Sequence, residues 1–134
     1  MTSYLLDTHT FLWSIFKSDR LSNKVCSILS DYENTIYVSS VTFWEISLKF
    51  ALGKLELETY LPEQFPHLAK QLDFTMLSMD PEEAANFYQL PKITVHKDPF
   101  DRMLIWQAIS RNLVLLSKDE HFEQYSKYGL KTTW

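Results

Sequence analysis

Short apolar runs alternate along the chain with longer segments of helical periodicity. The runs are bounded by polar residues and are rich in branched side chains, which is typical of buried β-strands. In chain order they are SYLLDT, NTIYVSS, FTMLSM, NLVLLS and LKTTW. Strands that alternate with helices predict an α/β fold with a mostly parallel central sheet covered on both faces.

Local capping residues mark the ends of the predicted helices. Ser22 and Asp98 each stand where an N-cap belongs, and Asp98 is followed by a proline. Asp80 also stands at an N-cap position before a proline, and Glu83 follows three residues later, as in a capping box. Gly53 is expected to end another helix. No repeat or linker divides the chain, so residues 1–134 are expected to form a single domain.

Composition places the chain among globular proteins and limits how it could bind nucleic acid. Of the 134 residues, 46% are hydrophobic, and the formal net charge is −4. This balance predicts no broad basic face for binding a phosphate backbone. Any role with nucleic acid would therefore depend on a local site.

The sequence also indicates a compartment. Cys26 is the only cysteine, which excludes an internal disulfide and a cysteine zinc cluster. The first residues lack the basic region of a signal peptide, and no apolar run reaches the roughly 18 residues of a membrane span. We expect a cytoplasmic protein with no membrane association.

Acidic residues follow two of the predicted strands directly. Asp7 ends the first strand, and Asp119 comes just after the strand NLVLLS. Ser39 ends the second strand in the same way. The carboxyl ends of parallel strands meet at one edge of a sheet, where α/β proteins bind their ligands. These side chains are therefore expected at one edge.

The segment HKDPFDRMLIWQA contains two aspartates with different expected roles. Asp98 has the form of a helix cap. Asp101 lies on the same helical face as Leu104, Ile105 and Ala108, so its charge should lie at the rim of the core. A carboxylate there is costly unless it is paired.

Glu45 interrupts an apolar stripe on another predicted helix. Val41, Leu48 and Leu52 are expected on its face, and Lys49 is the only basic residue nearby. If the sheet forms as predicted, Glu45 follows the end of the second strand by about one turn. It would then join the acids at the same edge.

Four carboxylates in one cleft repel one another. Two unit charges ~4 Å apart repel by about 1 kcal/mol in water and about 4 kcal/mol at an effective dielectric constant of 20. A bound cation removes this repulsion, and oxygen-rich sites suit Mg²⁺ or Mn²⁺ better than zinc. Such an ion can activate water for hydrolysis of a phosphodiester bond.

Four segments, in this order, resemble those of the PIN-domain ribonucleases, in particular the VapC-type toxins of bacterial toxin–antitoxin pairs. The resemblance runs over nearly the whole chain and implies a three-layer α/β/α sandwich. It implies metal-dependent cleavage of RNA by metal-activated water, a homodimer and a cognate antitoxin protein as partner. The segments and the metal-binding, catalytic acids they imply are LLDTHTFLW with Asp7, SSVTFWEISLKFALGKL with Glu45, HKDPFDRMLIWQA with Asp101 and LLSKDEHFEQY with Asp119.

Further polar residues flank the predicted cleft. Ser39 and Ser117 are candidates for outer-shell contacts to the metal, or simply end their strands. Asp98 is either an outer-shell ligand or a helix cap, and the two roles are compatible. Arg102 and Lys118 are candidates for binding substrate phosphates, or are solvated salt-bridge partners.

Two other functional interpretations stay open. The chain could be a non-catalytic PIN-like module that binds RNA or protein. It could also be an aspartyl-phosphate phosphatase with Asp7 as nucleophile, although His9 stands where such enzymes need a second acid. His9, His96 and His121 lie near the acidic segments, but surface or hydrogen-bonding roles are favoured over a zinc site.

Overall fold

A five-stranded, all-parallel sheet forms the centre of the computed structural model, which describes residues 2–93 and 96–134. The strand order is β3-β2-β1-β4-β5, and the register pairs Tyr4 with both Ile36 and Val114. This confirms the predicted parallel sheet. The strands are β1 (Ser3–Leu6), β2 (Thr35–Ser39), β3 (Thr75–Leu77), β4 (Val114–Leu116) and β5 (Lys131–Thr133).

Helices connect the strands and cover the sheet. The α-helices are α1 (Thr8–Phe16), α2 (Asn23–Ser30), α3 (Ser40–Ala51), α4 (Phe65–Gln71), α5 (Pro81–Ala85) and α6 (Pro99–Ser110). Short 3₁₀ segments are Ser18–Arg20, Pro62–Gln64, Asn86–Gln89 and Glu120–Tyr128. Within the described ranges, no helix combines the length and the apolar character needed to cross a membrane.

Two hydrophobic cores lie on opposite faces of the sheet. Leu6 and Leu116 belong to one core, while their neighbours Leu5 and Leu115 belong to the other. This alternation follows from the period of two along a strand. Helices α1 to α4 contribute buried residues to the first core, and α6 to the second. The result is the three-layer α/β/α sandwich that the resemblance implied.

Several predicted helix ends are confirmed. The Ser22 hydroxyl accepts a hydrogen bond from the Val25 amide at 3.0 Å, as an N-cap should. Gly53 follows α3 with a φ of 71°, a conformation that glycine adopts without strain. The Asp80 side chain, in contrast, makes no capping hydrogen bond. It lies 3.3 Å from the Arg111 guanidinium instead. The Glu83 carboxylate still accepts a hydrogen bond from the Asp80 backbone, so the predicted capping box forms only in part.

The apolar stripe predicted around Glu45 is only partly correct. Val41 and Glu45 are buried, but Leu48 and Leu52 are 39% and 58% exposed. The buried positions of α3 all lie between Val41 and Ile46. The leucines at the end of α3 and at its C-cap therefore remain exposed.

Candidate metal centre

The strand order creates a crevice at the carboxyl ends of β1 and β4. The chain continues from β1 to β2 on one side of the sheet, whereas β4 and β5 lie on the other. Ligands bind at such a switch point in open α/β sheets. An open cleft of about 460 Å³ lies there, lined by Asp7, His9, Trp13, Asp101, Lys118, Asp119, Glu120, His121 and Phe122.

Asp7 lies at the base of this cleft, between β1 and α1. Its carboxylate caps α1 by accepting a hydrogen bond from the Thr10 amide at 2.8 Å. The Thr10 hydroxyl in turn donates to the Leu116 carbonyl at 3.0 Å, which ties the cap to β4. Burial raises the pKa of Asp7 above its ordinary value, and hydrogen bonds from Ser117 and Thr10 offset only part of that rise.

Glu45 is 3% exposed and projects from the second turn of α3. The Thr8 hydroxyl donates to its Oε1 atom at 2.6 Å, and the Lys49 ammonium pairs with its Oε2 atom. Burial opposes a charge on Lys49, but the hydrogen bond and charge of Glu45, with the charges of Asp98 and Asp101, raise the pKa of Lys49 above its ordinary value. Of the four acids, Glu45 alone has a lysine or arginine within salt-bridge distance among the described residues.

The two aspartates of the HKDPFDRMLIWQA segment occupy different positions at the start of α6, as expected. Asp98 caps α6, because its Oδ1 atom accepts hydrogen bonds from the amides of Phe100 at 2.8 Å and Asp101 at 3.3 Å. Asp101 stands in the first turn of α6 and lines the cleft. Leu104 and Ile105 below it are buried, which confirms the stripe predicted on this helix.

Asp119 enters the cleft from the segment after β4. Its amide donates to the Ser117 hydroxyl at 3.1 Å, and its Oδ1 atom caps the following 3₁₀ segment through the His121 amide at 2.9 Å. The Nδ1 atom of the exposed His121 ring lies 3.1 Å from the same oxygen. The Oδ2 atom of Asp119 lies on the side of His96, 3.9 Å from its Nε2 atom.

The negative charges of several predicted site acids act on Asp101. Burial, together with the negative charges of Asp98, Glu45, Asp7 and Asp119, raises the pKa of Asp101 to about 8. Acids from three other segments of the chain, and Asp98 from its own, therefore act on one carboxyl group. The donor set is rich in carboxylate oxygens, which fits a hard divalent cation such as Mg²⁺ or Mn²⁺.

His96 is part of the same cluster, although the sequence favoured only a surface or hydrogen-bonding role for it. It is 7% exposed, and its Nε2 atom lies 3.8 Å from Asp101 Oδ2. One donor atom each from His96, Asp101 and Asp119 lie within 4.8 Å of one another. Burial lowers the pKa of His96 below its ordinary value, and the charge of Asp119 opposes this shift in part.

The remaining predicted residues occupy different surroundings. The Ser39 hydroxyl donates to Gln107 Oε1 at 2.6 Å and accepts from the Val41 amide, so it links β2 to α3 and α6. Arg102 donates to the Leu90 carbonyl at 3.0 Å. Lys118 is exposed at the edge of the cleft. The proposed contacts of these side chains with metal or substrate stay predictions.

Comparison with known proteins identifies the family. The model of the PIN domain family matches residues 4–128. This chain belongs to the PIN domain family. No curated protein matches it significantly.

Solved structures share this PIN fold along nearly their whole length. DNA-bound VapBC from Salmonella typhimurium is 20% identical, with a TM-score of 0.66, and the match covers 99% of this chain and 98% of that one. VapBC2 from Rickettsia felis, bound to a promoter DNA fragment, is 18% identical, with a TM-score of 0.64 and 98% of both chains covered. VapBC-5 from Mycobacterium tuberculosis, a member of the VapBC family of toxin–antitoxin systems, is 15% identical, with a TM-score of 0.57, and the match covers 99% of this chain and 97% of that one.

Proposed function

We propose that residues 1–134 form a single PIN-like domain that acts as a metal-dependent endoribonuclease, the toxin of a toxin–antitoxin pair. The observation that carries this proposal is the Asp101 carboxyl group, whose pKa is raised to about 8 by burial and by acids from other segments. A structural carboxylate is normally accompanied by a cation of the protein. Among the described residues no lysine or arginine lies within salt-bridge distance of Asp101, which favours a site that receives its cation from solution.

Asp7, Glu45, Asp101 and Asp119 would hold one or two Mg²⁺ or Mn²⁺ ions, directly or through water. When bound, a divalent cation supplies positive charge that activates water and stabilises the leaving oxygen of a phosphodiester. The protein fixes the acids in position, because Thr10 holds Asp7, and Thr8 and Lys49 hold Glu45. A carboxylate of this group would accept the proton of the attacking water. No covalent nucleophile is required.

The proposed partners follow from the same site and from the similar structures. A cognate antitoxin protein is proposed because the structural neighbours are VapBC assemblies. Since the cleft is acidic and the chain carries a net charge of −4, we expect a basic segment of the partner to approach it. A homodimer and a cytoplasmic location belong to the same proposal.

Cleavage of a mixed RNA pool tests the function. With Mg²⁺ we expect defined fragments, and with EDTA none. Asp101→Asn should lower the rate by about 100-fold or more, because even outer-shell changes at metal sites cost about 10- to 100-fold. The matched control is Glu120→Gln, an exposed acid that lines the same cleft. Its rate should stay within about twofold, as for an ordinary surface change.

Cleavage that survives both EDTA and Asp101→Asn would contradict the metal mechanism. Calorimetric titration with Mg²⁺ distinguishes the proposed nuclease from a non-catalytic binding module. A chain that binds RNA but shows no metal affinity and no cleavage would be a non-catalytic module. A chain that binds Mg²⁺ and loses that affinity in Asp101→Asn would behave as proposed.

A further inference from the structure

We propose that His96 is a metal ligand and that it forms, with Asp101 and Asp119, a mixed nitrogen–oxygen site selective for a first-row transition ion such as Mn²⁺ over Mg²⁺. The inference rests on the acidic metal site of the proposed function, but it requires no cleavage of RNA. The proposal adds a nitrogen donor, His96, to the four carboxylates.

The distances in this cluster suit an ion better than a hydrogen bond. His96 Nε2 lies 3.8 Å from Asp101 Oδ2 and 3.9 Å from Asp119 Oδ2. Hydrogen bonds between nitrogen and oxygen span about 2.7–3.2 Å, so neither contact is one. Donors that bind an ion at about 2.1 Å stand roughly 3–4 Å apart from one another. Both distances from His96 are therefore those of ligands around a shared ion, and all three donor atoms lie within 4.8 Å of one another.

The imidazole of His96 is held in place from its other side. The ring packs edge-on against Phe122, with the ring centroids 5.1 Å apart, and its Nδ1 atom lies 3.4 Å from the Tyr125 hydroxyl. When Nδ1 donates its proton to that hydroxyl, the lone pair of Nε2 is free to bind a metal. Ligating histidines are commonly oriented by such a contact at the second nitrogen.

The Nε2 atom lacks a partner of its own. Among the described residues it makes no hydrogen bond, although the His96 residue is only 7% exposed. It faces the carboxylates of Asp101 and Asp119, whose negative charges favour a cation between the three groups. One metal ion could bind the His96 imidazole and both carboxylates together.

The nitrogen donor determines which ion this site prefers. Mg²⁺ binds oxygen ligands almost entirely, whereas imidazole suits transition ions. A site of one imidazole and two carboxylates should therefore favour a transition ion. The four-carboxylate arrangement alone would make no such distinction.

Pulsed electron paramagnetic resonance on the full-length, Mn²⁺-loaded protein tests the ligand directly. We expect a ¹⁴N coupling on the bound Mn²⁺ that changes to a ¹⁵N coupling in protein made with ¹⁵N-histidine. The coupling should disappear in His96→Gln and persist in His121→Gln, the matched control from the same cleft. Bound Mn²⁺ without any nitrogen coupling, or a coupling lost only in His121→Gln, would overturn the proposal.

Calorimetry with each metal alone measures the selectivity. His96→Gln should raise the Kd for Mn²⁺ by about tenfold or more and the Kd for Mg²⁺ much less, since loss of a metal-site group commonly costs about 10- to 100-fold. Equal losses for both ions would overturn the selectivity. Nitrogen coupling without RNA cleavage would refute only the nuclease, whereas Mg²⁺-dependent cleavage without nitrogen coupling would refute only the His96 ligand.

Discussion

Two sites in this molecule contain buried acids, and the sites differ in their access to a positive charge. One is the proposed metal centre of Asp7, Glu45, Asp101 and Asp119. The other, here called the Glu83 cluster, consists of Glu83 with Gln107 and Arg111. The Oε2 atom of Glu83 lies 2.7 Å from Arg111 Nε, and its Oε1 atom accepts from Gln107 Nε2 at 2.9 Å.

The pKa shifts of the two groups have opposite signs. Burial alone would raise the pKa of Glu83, but the hydrogen bonds of Arg111 and Gln107 lower it below its ordinary value. Burial and neighbouring acids raise the pKa of Asp101 to about 8. Burial therefore does not distinguish a structural acid from a ligand in this fold. Between Glu83 and Asp101, the distinction comes from whether the protein places a lysine or arginine within salt-bridge distance.

The largest stability effect should come from breaking the Glu83 cluster. Glu83→Ala leaves the guanidinium of Arg111 and the fully buried amide of Gln107 without their acceptor. We expect a loss of about 3 kcal/mol in the free energy of unfolding, within the range for breaking a buried pair. Urea unfolding at pH 7 measures it. Glu82→Ala, an exposed change in the same helix, should stay within about 0.5 kcal/mol.

The contribution of Glu83 should also have a defined pH dependence. Because its folded pKa lies below its unfolded value, the stabilisation is present above about pH 4.5 and is lost as the pH falls through the folded pKa. The difference between wild type and Glu83→Ala should therefore shrink in acid. A difference that grows below pH 4 would show that Arg111 does not hold this carboxylate.

The opposite sign is expected at Asp101 in metal-free protein. Its folded pKa lies above its unfolded value, so the folded state binds the extra proton and loses stability as the pH rises from about 4 to 8. Asp101→Asn removes this loss. The variant should be more stable than wild type at pH 8 in EDTA, on the order of 2 kcal/mol after allowance for solvent screening.

Two controls sharpen this prediction. The stability difference should vanish below about pH 3, where the wild-type carboxyl is mostly protonated in both the folded and the unfolded state. Saturating Mg²⁺ should stabilise wild type through binding and remove the advantage of Asp101→Asn. If Asp101→Asn is instead destabilising at pH 8 without metal, the cleft contains a compensating positive charge and resembles the Glu83 cluster.

The sequence predicts features that depend on local chemistry. Each of the strands β1 and β4 forms from a short apolar run, and Ser22 and Asp98 cap their helices through amides within three residues. Asp7 and Asp119 could be placed together because parallel strands end at a common edge. These inferences need only the direction of the strands and the spacing along one helix.

Features that depend on distant packing could not be predicted in this way. Gln107 lies in the middle of α6, where a polar residue normally faces water, yet it bridges Ser39 and Glu83, which are 68 and 24 residues away. His96 is buried because Phe122 and Tyr125 pack against it from the segment after β4. No period or motif around His96 indicates those contacts.

The smallest effect concerns Asp98, whose role as a cap is established but whose role toward metal stays open. Asp98→Asn keeps a capping oxygen and should change the free energy of unfolding by only a few tenths of a kcal/mol, whereas Asp98→Ala should cost about 1 kcal/mol. If Asp98 serves only to cap α6, the Asp98→Asn variant should cleave RNA at a rate within about threefold of wild type, because an intact cap still positions Asp101. Cleavage assays and urea unfolding on both variants provide the comparison. If Asp98→Asn lost as much cleavage as Asp101→Asn while its stability stayed unchanged, Asp98 would be a metal ligand and not only a helix cap.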